Sequence, residues 1–486
     1  MIKLLLVTWN VEGHEQLDID EAEPQLAFIA YLMTLGGKQT ITLNELKNWL
    51  SRARAQMTDI LGYTKISVPD FIRRVESRSS LLIMSGHQKL EDGSISPIYE
   101  FLHLSFQEYL SAKAIVEKYL PAEDALKSNL EIIKPQIENE SWKEVIPLVA
   151  ALSKRETKDL IIFLTNESKK IAEDISGKVT KRRKISPPEL LGNCLAYEVN
   201  ITPDILENAI EWYAKNRYNF FDGSSIEIIL NNKFGDIFRK VVKQKFFNTY
   251  SDKYMPELGG LLGEIYIIDS KVTDNNLLYA HIANTILNSE DKKEKCMAIL
   301  AMMEFAFKST HKRDGFSLDQ VDINQVSIEF ERLLQTKDQH YISSISWSLA
   351  WILTSIDTVK NRSKLTNLII KEWLSQNQHN ICRLSAWSLF VMIRPSINIK
   401  AYNTKKWKEI IKYKFKNPMN EYDKIVSIFV GYNIGLTFDK KEVEVAFKES
   451  KGQSSSGLTE YAALWGIDLK RMREEQEKSL HTTRTV

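Results

Sequence analysis

The chain has 486 residues, 43% of them apolar and 26% charged, an ordinary composition for two to four folded domains that excludes wholesale disorder and an integral-membrane class. Its 65 basic and 63 acidic residues leave a formal charge of +2, so no global field draws it toward nucleic acid. Cys194, Cys296 and Cys382 are few, odd in number and far apart, which fits reduced cytoplasmic thiols better than disulfides or a zinc site; the eight histidines form no H-E-x-x-H.

Met1 to Trp9 is a short apolar run without a small-residue cleavage site, and it gives way to Asp18, Asp20, Glu21 and Glu23, against an export signal. From Asp20 to Met33 apolar residues recur at helical spacing, with Pro24 placed in a first turn and Gly36-Gly37 as the stop. Thr42 and Glu45 form a capping-box pair that opens a helix with Leu43, Leu46, Trp49 and Leu50 on one face. Val68-Pro69-Asp70 leads a third helix carrying Phe71, Ile72 and Val75. Leu81 to Met84 reads as a short buried strand, the polar stretch 86–96 with Gly93 as a hairpin tip, and Ile98 to Leu102 as the returning strand. Helices followed by a small hairpin and a further helix are the winged-helix order.

That further helix starts at the most informative stretch of the chain, Tyr99-Glu100-Phe101-Leu102-His103-Leu104-Ser105-Phe106-Gln107-Glu108-Tyr109-Leu110-Ser111-Ala112. It begins as a strand and turns helical at Ser105, which pairs with Glu108 as a second capping box. His103 sits at the junction, where a side chain can leave the core and meet a ligand; the plainer alternative is a hydrogen-bonded junction residue. The segment resembles the F-x-H-x-S-F-Q-E-Y/F-L/F-A-A signature of the winged-helix domain that follows the nucleotide-binding core in NACHT-type signal-transduction NTPases of the STAND class. Leu4 to Asn10 with Pro24 to Ala30 resembles the passage that joins the small helical domain behind that core to the winged helix. Ser141 to Leu152 resembles the family's W-x-E-V-I-x-L-x-A-x-L helix, with Trp142 read as a core anchor and Pro147 as a kink or a shortened first turn.

The resemblance implies that His103 contacts the phosphates of bound ADP, with Phe101, Ser105, Phe106, Glu108 and Tyr109 as its supporting frame. The chain has no G-x-x-x-x-G-K-[ST], so ADP or ATP is expected only with a missing NTPase core, supplied by an N-terminal half or a neighbouring subunit; none is expected on this chain alone. The resemblance further implies a protein trigger sensed through C-terminal repeats, and a bacterial role in antiphage defence.

Residues 121–176 read as helical throughout. Next comes a charged hinge, 177–188, in which Lys181, Arg182, Arg183 and Lys184 make a basic patch and Pro187-Pro188 resists both helix and strand. Beyond it, Glu189 to Glu198, Pro203 to Asn216 and Ser225 to Tyr250 read as helices, with Gly259, Gly260 and Gly263 as breakers. The helices Cys296 to Phe307, Ile342 to Ile356 and Ile381 to Ile393 look alike. Trp347 and Trp387 lie 40 residues apart, the spacing of HEAT- or armadillo-like repeats, with Trp351 on the same core stripe. Asn420 to Val430, closed by Gly431 and Gly435, and Lys440 to Lys451 add a last pair; Tyr461 to Trp465 is a local docking segment in a polar tail.

The expected fold is thus mainly α, a winged-helix domain followed by a HEAT/armadillo-like superhelix. Its parts are a remnant at 1–12, the winged helix at 13–120, a helical linker domain at 121–176, the hinge, a repeat-like domain at 189–450 and a flexible tail at 451–486. The expected function is that of the regulatory and sensor portion of such an NTPase, cytoplasmic and without a membrane partner. No hydrolytic constellation or metal site marks the chain itself as an enzyme. A non-catalytic helical-repeat scaffold that binds protein is the alternative. DNA reading by the winged helix is disfavoured because Arg52, Arg54, Arg73 and Arg74 are mixed with Asp59, Asp70 and Glu76.

Overall fold

A computed structural model describes residues 18–79, 81–154, 156–173, 185–216, 224–248, 255–312, 405–420, 422–449 and 462–468, with isolated residues between 328 and 389. Two compact units divide the chain, Met1–Val241 and Val242–Val486.

The first unit is built on α1 (Ile19–Leu35), which is buried on nearly every side from Ala22 to Thr34. A helix that is apolar all round must be enclosed by others. Asp18 caps its start by accepting the Asp20 amide at 2.9 Å. Pro24 lies one turn deeper than its sequence suggests, because the helix begins at Ile19. The end is a Schellman motif: the Lys38 amide donates to the Met33 carbonyl at 2.8 Å and that of Gly37 to Thr34 at 3.0 Å. Gly37 has φ +61°, a left-handed conformation that a side chain would strain.

β1 (Thr40–Thr42) leads into α2 (Leu43–Gln56), whose capping box is formed: the Glu45 amide meets Thr42 Oγ1 and the Thr42 amide meets Glu45 Oε2. α2 buries Leu46, Leu50 and Ala53. A single turn, α3 (Thr58–Leu61), precedes α4 (Val68–Ser79), which buries Phe71, Ile72 and Val75. β2 (Leu82–Lys89) and β3 (Ile95–Phe101) form a hairpin, and β1 pairs with the far side of β3, giving the antiparallel order β1-β3-β2. Three helices and a hairpin in this order make a winged helix. The wing corrects one expectation. β2 extends to Lys89, with a bulge between Met84 and Gly86, and beyond Leu82 it is largely solvated, Met84 being 45% exposed. Its outer length projects past the helices that would cover it.

α5 (Leu104–Glu117) packs along α1, where Glu23 and Lys113 form an ion pair, and against α8 (Val145–Leu152). Between them run the short helices α6 (Ala122–Ala125) and α7 (Asn129–Ile133). Instead of one helix from Ser141 to Leu152, a 3-10 turn at Glu140–Trp142 precedes α8, and Pro147 falls in the first turn, where its missing amide costs nothing. Trp142 is fully buried, its ring edge-on to Tyr31 at 6.2 Å.

α9 (Thr157–Glu173) and α11 (Pro203–Ala214) pack together beside α10 (Pro187–Ala196). Pro187 and Pro188 start α10 rather than blocking a helix. Ser186 caps it, and both prolines are buried in its first turn. The expected helix from Ser225 is two, α12 (Ser224–Asn231) and α13 (Gly235–Asn248), separated where Asn232 donates to the Leu195 carbonyl at 3.0 Å.

In the second unit, Gly259, Gly260 and Gly263 break nothing. They lie inside α14 (Met255–Ser270), which packs on α16 (Lys292–Lys312); α15 (Asn275–Asn288) also packs on α16. A Cβ on Gly263 would stand 2.5 Å from the Leu300 carbonyl oxygen, so this glycine permits a backbone-close helix crossing. Towards the C-terminus, α17 (Lys405–Lys416) packs on α18 (Asp423–Asn433), and α18 on α19 (Lys440–Glu449). Gly431 lies within α18, which closes at Gly435. Trp465 docks on Tyr432, ring centroids 5.3 Å apart. The tryptophans Trp347, Trp351 and Trp387, on which the repeat expectation rests, lie outside the described residues. No helix among the described residues is long and apolar enough to cross a membrane.

Candidate functional site at the strand–helix junction

β3 ends at Phe101 and α5 begins at Leu104, so His103 is the N-cap residue of α5, in extended backbone with φ −131° and ψ 138°. The capping box expected of Ser105 and Glu108 is absent. The helix starts two residues earlier than that box requires, with the Phe106 amide donating to the His103 carbonyl at 3.0 Å, which leaves Ser105 inside the first turn and exposed.

The side chains of the signature divide into two groups. Phe101, Phe106, Gln107, Leu110, Ser111 and Ala112 are buried. Gln107 carries the junction onto α1: its Nε2 donates to the Lys38 carbonyl at 3.0 Å and to Thr34 Oγ1 at 3.3 Å, while Thr34 and Ser111 share a hydroxyl contact at 2.8 Å. Sequence reasoning passed over Gln107, yet the signal was present. It shares a helical face with Leu110 and Ala114, and a polar residue on an apolar face has to find partners there. Leu102, His103, Leu104 and Ser105 are exposed. The imidazole of His103 makes no hydrogen bond or ion pair among the described residues; its one recorded contact is with the Phe106 ring, centroids 5.3 Å apart. The plainer reading of His103, a hydrogen-bonded junction residue, therefore does not hold among those residues.

Glu108 and Tyr109 are half-buried. Burial, and then the neighbouring charge of Glu144, hold the Glu108 carboxyl above the usual carboxylate range. Tyr197 is likewise pushed up, first by burial and then by Glu144 and Glu108. Beside Tyr197 an open groove of about 540 Å³ is lined by Glu198, Glu227, Ile228, Asn231 and Asn232. The face at Glu108 is thus acidic, whereas His103 stands at the positive end of α5.

Of the arginines that a DNA-reading winged helix would present, Arg54 is tied into the fold, while Arg52 and Arg73 are held in surface ion pairs. Arg54 donates from Nε to Gln25 Oε1 at 2.7 Å and from Nη1 to the Ile66 carbonyl at 2.6 Å, and lies over the Phe71 ring. Burial lowers its pKa. Arg52 pairs with Glu123, and Arg73 with Asp70. The basic patch Lys181, Arg182, Arg183 and Lys184 lies outside the described residues, as does Cys382; Cys194 and Cys296 are buried and form no disulfide. No cluster of His, Cys, Asp and Glu able to hold a metal ion occurs among the described residues.

Comparison with known proteins adds one finding. Neither the curated proteins nor the solved structures contain a match to the chain. Residues 5–115 match the family model of the winged helix-turn-helix domain C-terminal to NACHT, a span that ends within α5 and includes the whole junction. This stretch, under a quarter of the chain, is similar to the winged-helix domain associated with NACHT NTPases.

Proposed function

We propose that the chain is the regulatory and sensor part of a NACHT-type signalling NTPase acting in antiphage defence, and that His103 donates to a phosphate oxygen of ADP held by the NTPase core. The observation that carries this reading is the placement of His103. It is exposed at the start of α5 without a hydrogen-bond partner among the described residues, while the apolar and amide side chains around it are used to hold the junction in place. A ring N–H meeting an ionised phosphate makes a charge-assisted hydrogen bond, and the helix N-terminus adds to the attraction. A protein trigger bound by the C-terminal helices would have to prefer the open state in order to release that contact.

The test is to co-purify the chain with the NTPase core it serves and to measure the ADP retained after desalting. Wild-type protein is expected to retain ADP, and His103→Ala to lose at least tenfold of it. Equal retention in the variant would remove the phosphate role. Failure to associate with any nucleotide-binding core would move the helical protein-binding scaffold to the front.

A further inference from the structure

The second unit carries a charge pattern that the near-neutral whole conceals. Helix α17 reads Lys-Lys-Trp-Lys-Glu-Ile-Ile-Lys-Tyr-Lys-Phe-Lys, six lysines in 12 residues with one acid, Glu409, and no arginine. Its inner face is committed: Ile411 and Phe415 are buried, Phe415 lies 4.8 Å from Phe438, and Lys414 is drawn inward over the Trp373 ring. Lys405, Lys406, Lys412 and Lys416 are exposed and Lys408 is half-buried. None of these five makes an ion pair or side-chain hydrogen bond among the described residues.

At 100° per residue, Lys405, Lys412 and Lys416 fall within about 20° of one line along the helix, spaced by about 10 Å and 6 Å. Lys408 flanks the line on one side; Lys406 and Tyr413 flank it on the other, and Tyr413 is 67% exposed. Glu409 lies close to the line and is its only opposing charge within the helix.

We propose that this face of α17 binds the phosphate backbone of single-stranded nucleic acid, without sequence preference, with Tyr413 as a stacking platform for a base. Lysines are compact point charges that meet phosphates without a fixed orientation, which suits a backbone bound without sequence preference. Insertion into a membrane interface would need the apolar face of the helix, and that face is buried against α18. A duplex hides its base faces, so an exposed tyrosine beside the cations favours a single strand. The site lies on the second unit and does not depend on the nucleotide reading.

The experiment is fluorescence anisotropy of the full chain with a labelled oligo(dT) across a salt series. Five phosphate contacts give a slope of log affinity against log salt of about −3.5. Lys405→Gln/Lys412→Gln/Lys416→Gln is expected to bring the slope to about −1.4 and to weaken binding at least tenfold at low salt. The corresponding triple arginine variant should retain binding, Glu409→Gln should strengthen it, and Tyr413→Ala should weaken it about fivefold or more. Circular dichroism checks that each variant keeps its helix content. Binding that survives the triple glutamine variant would overturn the proposal, as would no binding at low salt. Equal affinity for a duplex with no effect of Tyr413→Ala would overturn the single-strand assignment. Competition by phosphatidylserine vesicles would reassign the face to a lipid surface.

Discussion

The side-chain amide of Gln107 donates to the backbone carbonyl of Lys38 at 3.0 Å, tying the helix that begins at the His103 junction to the end of α1. The bond fixes where α5 starts relative to the Schellman turn. Gln107→Leu keeps the volume roughly constant but removes the donor to that part-buried carbonyl and to the buried Thr34 hydroxyl. It is expected to destabilise the fold by about 1–3 kcal/mol, read as a lower midpoint in urea. An unchanged midpoint would show that the tie contributes nothing.

His103→Ala tests the opposite expectation. An exposed residue whose imidazole makes no hydrogen bond or ion pair among the described residues should change stability by no more than about 0.5 kcal/mol. Thermal unfolding of the variant should overlay that of the wild type. A clear loss would mean that the ring contact with Phe106 supports the fold, and a structural role would then account for the histidine.

Glu108 makes a prediction about pH. Its folded-state pKa is raised by burial and by Glu144, so the folded state binds its proton more tightly than the unfolded state does. Stability from this group therefore falls as pH rises from the ordinary glutamate range through the raised value, above which the penalty is fully present. Glu108→Gln should raise stability at pH 7 and flatten the pH dependence through that window. Glu144→Gln should give a smaller change of the same sign, since burial is the larger cause. Urea titrations at pH 4, 5, 6 and 7 decide it, and a Glu108→Gln variant less stable than wild type at pH 7 would contradict it.

Gly263→Ala probes the helix crossing in the second unit. The added methyl would meet the Leu300 carbonyl 2.5 Å away, and a backbone atom cannot move as a side-chain tip can. Separation of α14 from α16 is expected to cost about 1–3 kcal/mol, visible as a lower thermal midpoint. By helix propensity alone, alanine at this position would stabilise by up to about 1 kcal/mol, so the sign of the change separates the two effects.

Much of the winged helix was legible from local chemistry. The Thr42–Glu45 capping box, the Gly36-Gly37 stop and the helix at Val68 all depend on residues within a few positions of one another, and each formed as read. The signature around His103 also located the junction, because spacing along the chain marks where a strand gives way to a helix. Misreadings came where a local cue had two meanings. Pro187-Pro188 suits a hinge or a first helical turn, and Gly263 suits a break or a close crossing. Ser105 and Glu108 have the capping spacing, but the helix began two residues earlier than that spacing requires and left the serine within the first turn.

By itself, the sequence determined the order of elements in the winged helix, the family resemblance of the junction and the lysine-rich composition of residues 405–416. Caps, periodicity and composition act over one or two helical turns. Tertiary structure alone decided which polar groups were consumed and which remained exposed. Gln107 and Arg54 turn inward because buried amides and carbonyls require partners, while His103 is left facing solvent. Tertiary packing also buries Ile411 and Phe415 and so confines the exposed lysines of α17 to its outer face. Burial depends on what lies across the core, from residues far away in the chain, and local spacing carries no record of it.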